Sequence, residues 1–127
     1  MNLQQDFDVL IVGSGLAGLA AALYLAPTHR VAVLTKRGVA DGASGRAQGG
    51  IAAVLAPDDS FEAHVHDTLV AGAGLCDLAA TRKVVEHAPA AIAWLESLGV
   101  PFTREDGRLH LTREGGHGAR RIVPATA

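Results

Sequence analysis

The chain has 127 residues, 49% of them hydrophobic and only 4% aromatic, so its core must be built from Ala, Val, Leu and Ile within a single domain or a piece of one. A formal net charge of −2, with acids and bases interspersed, gives no electrostatic footing for nucleic acid or for an anionic membrane. One cysteine, Cys76, excludes an internal disulfide and a cysteine-based zinc site and fits a reducing compartment, hence a cytoplasmic expectation.

The N-terminal MNLQQDFD lacks the basic start and apolar stretch of a signal peptide, and no apolar run reaches the roughly 20 residues of a membrane span. Val9 to Val12 form an unbroken apolar run, the pattern of a strand buried on both faces of a parallel sheet. It enters Gly13-Ser14-Gly15-Leu16-Ala17-Gly18, a G-x-G-x-x-G spacing. Leu16, Leu19, Leu23 and Ala26 then recur at helical intervals until Pro27, and a second strand is expected over 30–35. The class is α/β, opening with a βαβ-like unit. Its glycines have separate mechanical uses: Gly13 for the tight turn, Gly15 for close approach of a pyrophosphate, Gly18 for packing of helix on strand. The phosphates of a dinucleotide would sit on the helix N-terminus. Where an acid usually binds the ribose, this chain has Thr35-Lys36-Arg37, which suits either the 2′-phosphate of NADP or one side of a flavin dinucleotide.

Residues 37–50 show no apolar period and offer many backbone N–H groups with little bulk, as a loop wrapping a long cofactor would. A short helix is expected from about Gly50. Phe61 begins a further helix with a stripe of Phe61, Val65 and Leu69, broken by Gly72 and Gly74. His64 and His66 lie two apart and point in different directions, which makes them a poor metal pair, so they read as surface or loop-contacting histidines and no metal site is expected. A longer helix over 77–98 is capped by Asp77, ended by Gly99 and kinked or split at Pro89. Its packing face is Val84, Ala88, Ile92 and Leu95, with Trp94 beside them, and His87 is structural. Asp106-Gly107 reads as a hairpin turn, and the strands it joins deliver Thr112, Arg113, Glu114, Gly115, Gly116 and His117 at one end. Arg120 and Arg121 read as solvated, or as holding the loop by salt bridges.

The segments DVLIVGSGLAGLAAAL, VLTK, AQGGIAAV and HVHDTLVAGAGLCD resemble the flavoprotein family of succinate dehydrogenase, fumarate reductase and L-aspartate oxidase, and HLTREGGH followed by RRI is most similar to its aspartate-oxidising branch. The resemblance covers essentially the whole chain. It implies the N-terminal part of an FAD-binding Rossmann-like fold: a dinucleotide-binding start and flavin loop over 1–60, a helical segment over 61–100, and a hairpin leading to the edge of a substrate site over 101–127. On it, Gly13, Ser14, Gly15, Leu16, Ala17 and Gly18 serve the phosphates and Lys36 contacts the cofactor after the second strand. Ala43, Ser44, Gly45, Arg46, Ala47, Gln48, Gly49 and Gly50 wrap the flavin. The respiratory members link FAD to a histidine just before AQGG. Residues 37–47 contain none, so the resemblance implies noncovalent FAD.

The same resemblance implies oxidation of L-aspartate to iminosuccinate, with oxygen or fumarate as electron acceptor, as the first step of de novo NAD biosynthesis and in functional company with quinolinate synthase. Glu114 corresponds to the carboxylate that orients the substrate's amino group. The base and the substrate-binding histidines of the family lie beyond the matching segment, so the chain is expected to be a fragment or to need a partner chain, and to be inactive alone. Pro124, the first residue of the terminal PATA, departs from the family pattern, where histidine is usual. The alternatives are a soluble fumarate reductase or succinate dehydrogenase-like flavoprotein, a truncated noncatalytic dinucleotide-binding module and, more distantly, an NADP dehydrogenase.

Overall fold

The computed structural model describes residues 5–47 and 49–125, so Gln48 of the loop and Thr126 and Ala127 of the terminal PATA lie outside the described residues. The chain divides into two compact units, Met1–Gln48 and Gly49–Ala127.

The first unit is the expected β-α-β start. Strands β1 (Val9–Val12) and β2 (Val31–Leu34) pair in parallel from Val9↔Val31 to Val12↔Leu34, joined through helix α1 (Leu16–Leu25). Gly13 donates its N–H to the Leu34 carbonyl at 2.8 Å, which extends the pairing to the turn. Its φ of +111° is a conformation that side chains disfavour, and this lets the chain leave β1 and enter α1 at once. At the opposite end the Asp8 carboxylate accepts the Arg30 backbone N–H at 2.8 Å. That bond, with the Arg30 guanidinium, holds the Asp8 carboxyl below its ordinary value.

The expectation that β1 is covered on both faces is corrected here. Val9 and Ile11 are half-buried, whereas Leu10 and Val12 are 62% and 78% exposed. Among the described residues of this unit α1 covers one face of a two-stranded sheet and no second layer covers the other. Two short 3-10 turns, Val39–Asp41 and Ala43–Arg46, carry the loop that follows β2.

The second unit contains β3 (Gly50–Ala52), α2 (Phe61–Ala71), α3 (Leu78–Ser97), β4 (Arg104–Glu105), β5 (Arg108–Leu109) and β6 (Ile122–Pro124). The helix expected near Gly50 is instead strand β3, antiparallel to β6 in the register Gly50↔Pro124, Ile51↔Val123, Ala52↔Ile122. The local pattern could not reveal that partner, which is supplied from the far end of the chain. The pairing also requires glycine at 50, because a Cβ there would stand 2.5 Å from the Val123 carbonyl oxygen.

The core of this unit joins Ala53, Ile92, Phe102 and Val123, with Ile51, Ala88, Leu95, Val100, Leu109 and Leu111 against them. Ala88, Ile92 and Leu95 therefore face the core as expected. Val84 is 70% exposed and Val85 takes the buried place, because the stripe that reaches both α2 and the sheet follows 85, 88, 92 and 95. Pro89 neither splits nor ends α3, which runs as one element through it. On α2, Val65 is buried and Phe61 and Leu69 are half-buried, so that stripe stands. Asp106 (φ 50°) and Gly107 (φ 76°) both occupy the left-handed region between β4 and β5, as a two-residue type I′ turn requires.

Asp77 caps α3 as its sequence position implies, accepting the Ala80 N–H at 2.7 Å through its side chain. Asp77→Ala should lower stability by about 1 kcal/mol, read as a shift of the urea midpoint with unchanged slope. No shift would mean that water replaces the cap.

Candidate functional site

In the first unit the N-terminus of α1 opens onto a cleft of about 410 Å³ lined by Gly13, Ser14, Gly15, Thr35, Lys36, Arg37, Gly38, Asp41, Gly42, Ala43 and Ser44. The N-cap is Gly15, which has no side chain to occupy the mouth, and the first turn carries no acid. The free N–H groups of a helix start, the helix dipole and two cations, Lys36 and Arg37, therefore face one hollow, a setting that favours an anion. Its single carboxylate, Asp41, is turned to the Gly38 N–H at 3.0 Å. Ser14 Oγ donates to Thr35 Oγ1 at 3.2 Å, tying the glycine turn to the end of β2. Ser44 Oγ accepts the Leu16 N–H at 3.1 Å, so the loop after β2 folds back onto the helix start. The donor set fits the pyrophosphate of a dinucleotide.

Of the residues singled out from sequence, Gly13, Ser14, Gly15, Lys36, Ala43 and Ser44 line this cleft, and Leu16 reaches it through its N–H. Gly18 does not line it. It lies beneath the turn, where a Cβ would collide with the Gly13 carbonyl oxygen. Ala17, Arg46 and Ala47 are exposed, and Gly45 packs against the Ala40 carbonyl. Gly49 and Gly50 belong to the second unit.

In that second unit β3 and β6 bring two distant motifs together. Thr112 and Ile122 exchange backbone hydrogen bonds at 2.9 and 3.0 Å and so close the base of the loop between them. Within it His117 donates its N–H to the Glu114 carbonyl at 3.3 Å, and Gly116 takes a φ of +81° to complete the turn. Glu114 is exposed, and its Oε1 lies 3.9 Å from where a Cβ of Gly49 would stand. The carboxylate of the TREGGH motif thus adjoins the backbone of the AQGG motif.

Beneath the loop is a charged cluster. Arg121, read from sequence as solvated or as holding the loop by salt bridges, is fully buried and does the second. Its Nε and Nη2 donate to Asp59 Oδ2 and Oδ1 at 2.8 and 2.7 Å, and its Nη1 donates to Asp67 Oδ2 at 2.8 Å. Asp67 also accepts the Gly118 N–H at 2.6 Å. Three ion-pair hydrogen bonds are what allow a guanidinium to leave water at this position. The Gly118 bond and the arginine hold the Asp67 carboxyl below its ordinary value despite some desolvation. The one visible hint was an arginine abutting the apolar strand Ile122-Val123. By contrast Arg120 is exposed, beside the hairpin residues of a separate concavity.

His64, read from sequence as a helix-surface or loop-contacting histidine, is buried beside this cluster and contacts the loop, its ring centroid 5.6 Å from that of His117. Burial, then the nearby Arg121 guanidinium and electrostatic interaction with His117, pushes its pKa below the ordinary 6.5, against the smaller opposing pull of Asp59 and Asp67. A histidine depressed in the folded state binds its proton more readily when unfolded. Its contribution is therefore complete above about pH 6.5 and is lost as pH falls through the lower folded value. Unfolding midpoints should accordingly drop on acidification below about pH 6.5, and His64→Gln should flatten that dependence. Parallel pH profiles for the two proteins would refute this.

A hollow built for an anion at the start of the helix of a β-α-β unit defines a dinucleotide-binding domain. The family profile described as FAD binding domain matches residues 8–127, and the chain belongs to that FAD-binding flavoprotein family. It is 62% identical over 124 residues to L-aspartate oxidase 1 of Ralstonia nicotianae, covering 94% of this chain and 23% of that protein. It is 52% identical over 133 residues to the L-aspartate oxidase of Vibrio cholerae, covering 98% of this chain and 25% of that protein. Among solved structures, E. coli quinol fumarate reductase FrdA superposes with a TM-score of 0.87 at 37% identity, over 92% of this chain and 21% of that one. Mycobacterium smegmatis Sdh1 in complex with UQ1 superposes with a TM-score of 0.88 at 31% identity, over 94% and 21%. The chain thus spans about a quarter or less of each relative. Among the described residues no helix is long and apolar enough to cross a membrane.

Proposed function

We propose that these residues form the N-terminal, FAD-holding portion of an enzyme that oxidises L-aspartate to iminosuccinate, with oxygen or fumarate accepting the electrons, as the entry step of NAD biosynthesis alongside quinolinate synthase. The observation that carries the reading is the approach of Glu114 to Gly49, which puts an exposed carboxylate against the end of the glycine-rich loop. When bound, FAD supplies the two-electron acceptor. Gly13, Ser14, Gly15, Leu16 and Ala17 hold its phosphates, Lys36 contacts it at the end of β2, and Ala43, Ser44, Gly45, Arg46, Ala47, Gln48, Gly49 and Gly50 follow its length, with Gly18 supporting the turn from below. Glu114 accepts the substrate ammonium, a group that succinate lacks, and so selects an amino acid over a plain dicarboxylate.

The absence of histidine from residues 37–47 supports a noncovalent cofactor. The test is the visible spectrum of the purified protein followed by acid precipitation. Flavin colour is expected in the supernatant, and colour in the pellet would overturn the noncovalent assignment. In the enzyme carrying these residues, anaerobic L-aspartate should bleach the flavin. Bleaching by succinate alone would instead favour a fumarate reductase-like activity, the second reading, which the likeness to FrdA supports.

A further inference from the structure

Glu114 is exposed on a glycine-containing loop, a poor platform for orienting a substrate unless something fixes the loop from behind. The structure supplies two attachments. One is the His117 ring set against the buried His64 ring, both with buried Nδ1 atoms that find no hydrogen-bond partner in the protein. Such a contact fixes distance more than direction. The other is directional: the Gly118 N–H donates to Asp67 Oδ2 at 2.6 Å, and that same oxygen accepts Arg121 Nη1 at 2.8 Å. Arg121 is itself clamped by the two oxygens of Asp59 at 2.7 and 2.8 Å. Asp67 therefore cannot rotate away without breaking the hydrogen bond of a buried Nη1 group. Its remaining freedom is removed by the N-capped helix α2 on which it rides.

Resting on the reading of Glu114 given above, we propose that Asp67 is a positioning residue for substrate selection: its Arg121-locked carboxylate anchors Gly118 and thereby sets where Glu114 meets the substrate's amino group. Arg121 and Asp59 act through it. None of the three needs to touch substrate.

The test uses the enzyme that carries these residues and compares KM for L-aspartate with Ki for succinate, a competitor without the amine. Asp67→Ala should raise the aspartate KM about tenfold or more while moving the succinate Ki less than about twofold. Asp67→Asn retains an oxygen able to accept both N–H groups and should restore the aspartate KM to within about threefold of the parent. Hydrogen exchange at 115–118 should accelerate in Asp67→Ala, with the β3–β6 amides still protected. Equal shifts in both constants would mean a general structural role and overturn the proposal, as would an alanine variant with an unchanged KM. An asparagine variant as impaired as alanine would overturn the geometric account. Glu114→Gln serves as the reference. A selectivity unchanged there would sink the role of Glu114 itself and the positioning with it. A loss there without loss in Asp67→Ala would sink the positioning alone.

Discussion

Arg121→Met should destabilise the second unit by about 3–5 kcal/mol, because it strands the Asp59 and Asp67 carboxylates against a site built around a cation. The Asp59 side chain is only 1% exposed and the Arg121 side chain 0%, so solvent does not screen this pair as it would a surface bridge. Methionine keeps much of the arginine's volume, which limits the cavity contribution and leaves charge as the variable. The urea midpoint of the variant against the parent measures the loss. The combined change Arg121→Met, Asp59→Asn and Asp67→Asn should recover a large part of it, since removing all the charges also removes their desolvation cost. A loss below about 1 kcal/mol in the single variant would show that the carboxylates rehydrate, and that the cluster is not what holds the loop base.

Gly18→Ala should carry the next largest effect, on cofactor retention as well as on stability. The added methyl would clash with the Gly13 carbonyl oxygen and stand 3.3 Å from Ile11 Cγ2, and neither the turn's backbone nor the β-branched Ile11 of β1 yields easily. Overpacking of this kind costs about 1–3 kcal/mol. Strain relieved by shifting the Gly13 turn also shifts the floor of the anion-binding cleft. FAD affinity should therefore fall about tenfold or more, a factor corresponding to about 1.4 kcal/mol. Fluorescence quenching of FAD on titration with each protein measures it. Gly115→Ala is the stability control, because its methyl would meet nothing within 4 Å. Equal FAD affinities for Gly18→Ala and the parent would mean that the cofactor does not use this turn.

The elements whose signals are local were legible in the sequence. The strand–glycine turn–helix start, the Asp77 cap and the Asp106-Gly107 hairpin each depend on residues within a few positions of one another, and the structure has all three. Errors arose where a partner decides. Nothing near Gly50 announces a strand, because its ladder mate is Pro124. Val84 and Val85 are chemically alike, and only the position of α2 against α3 chooses between them. For Arg121 the sequence left open solvation or salt bridges to the loop, and only the arrival of two carboxylates from elsewhere in the chain decides for the latter. In the site, the glycine fingerprint was visible as a pattern, whereas the approach of Glu114 to Gly49 exists only after β3 and β6 have paired.

Arg121 lies 62 and 54 positions after the two carboxylates that neutralise it. During synthesis at roughly 5–20 residues per second, Asp59 and Asp67 emerge on the order of several seconds before their counter-charge exists. Over the same interval β3 has no strand to pair with, so an open edge accompanies the uncompensated acids. Closing so long a span is slow, and its entropic cost falls before any contact repays it. A nascent chain stalled short of Arg121 would thus be a target for chaperones and proteases, while one that reaches β6 gains its ladder, its ion cluster and its loop base in a single closing event.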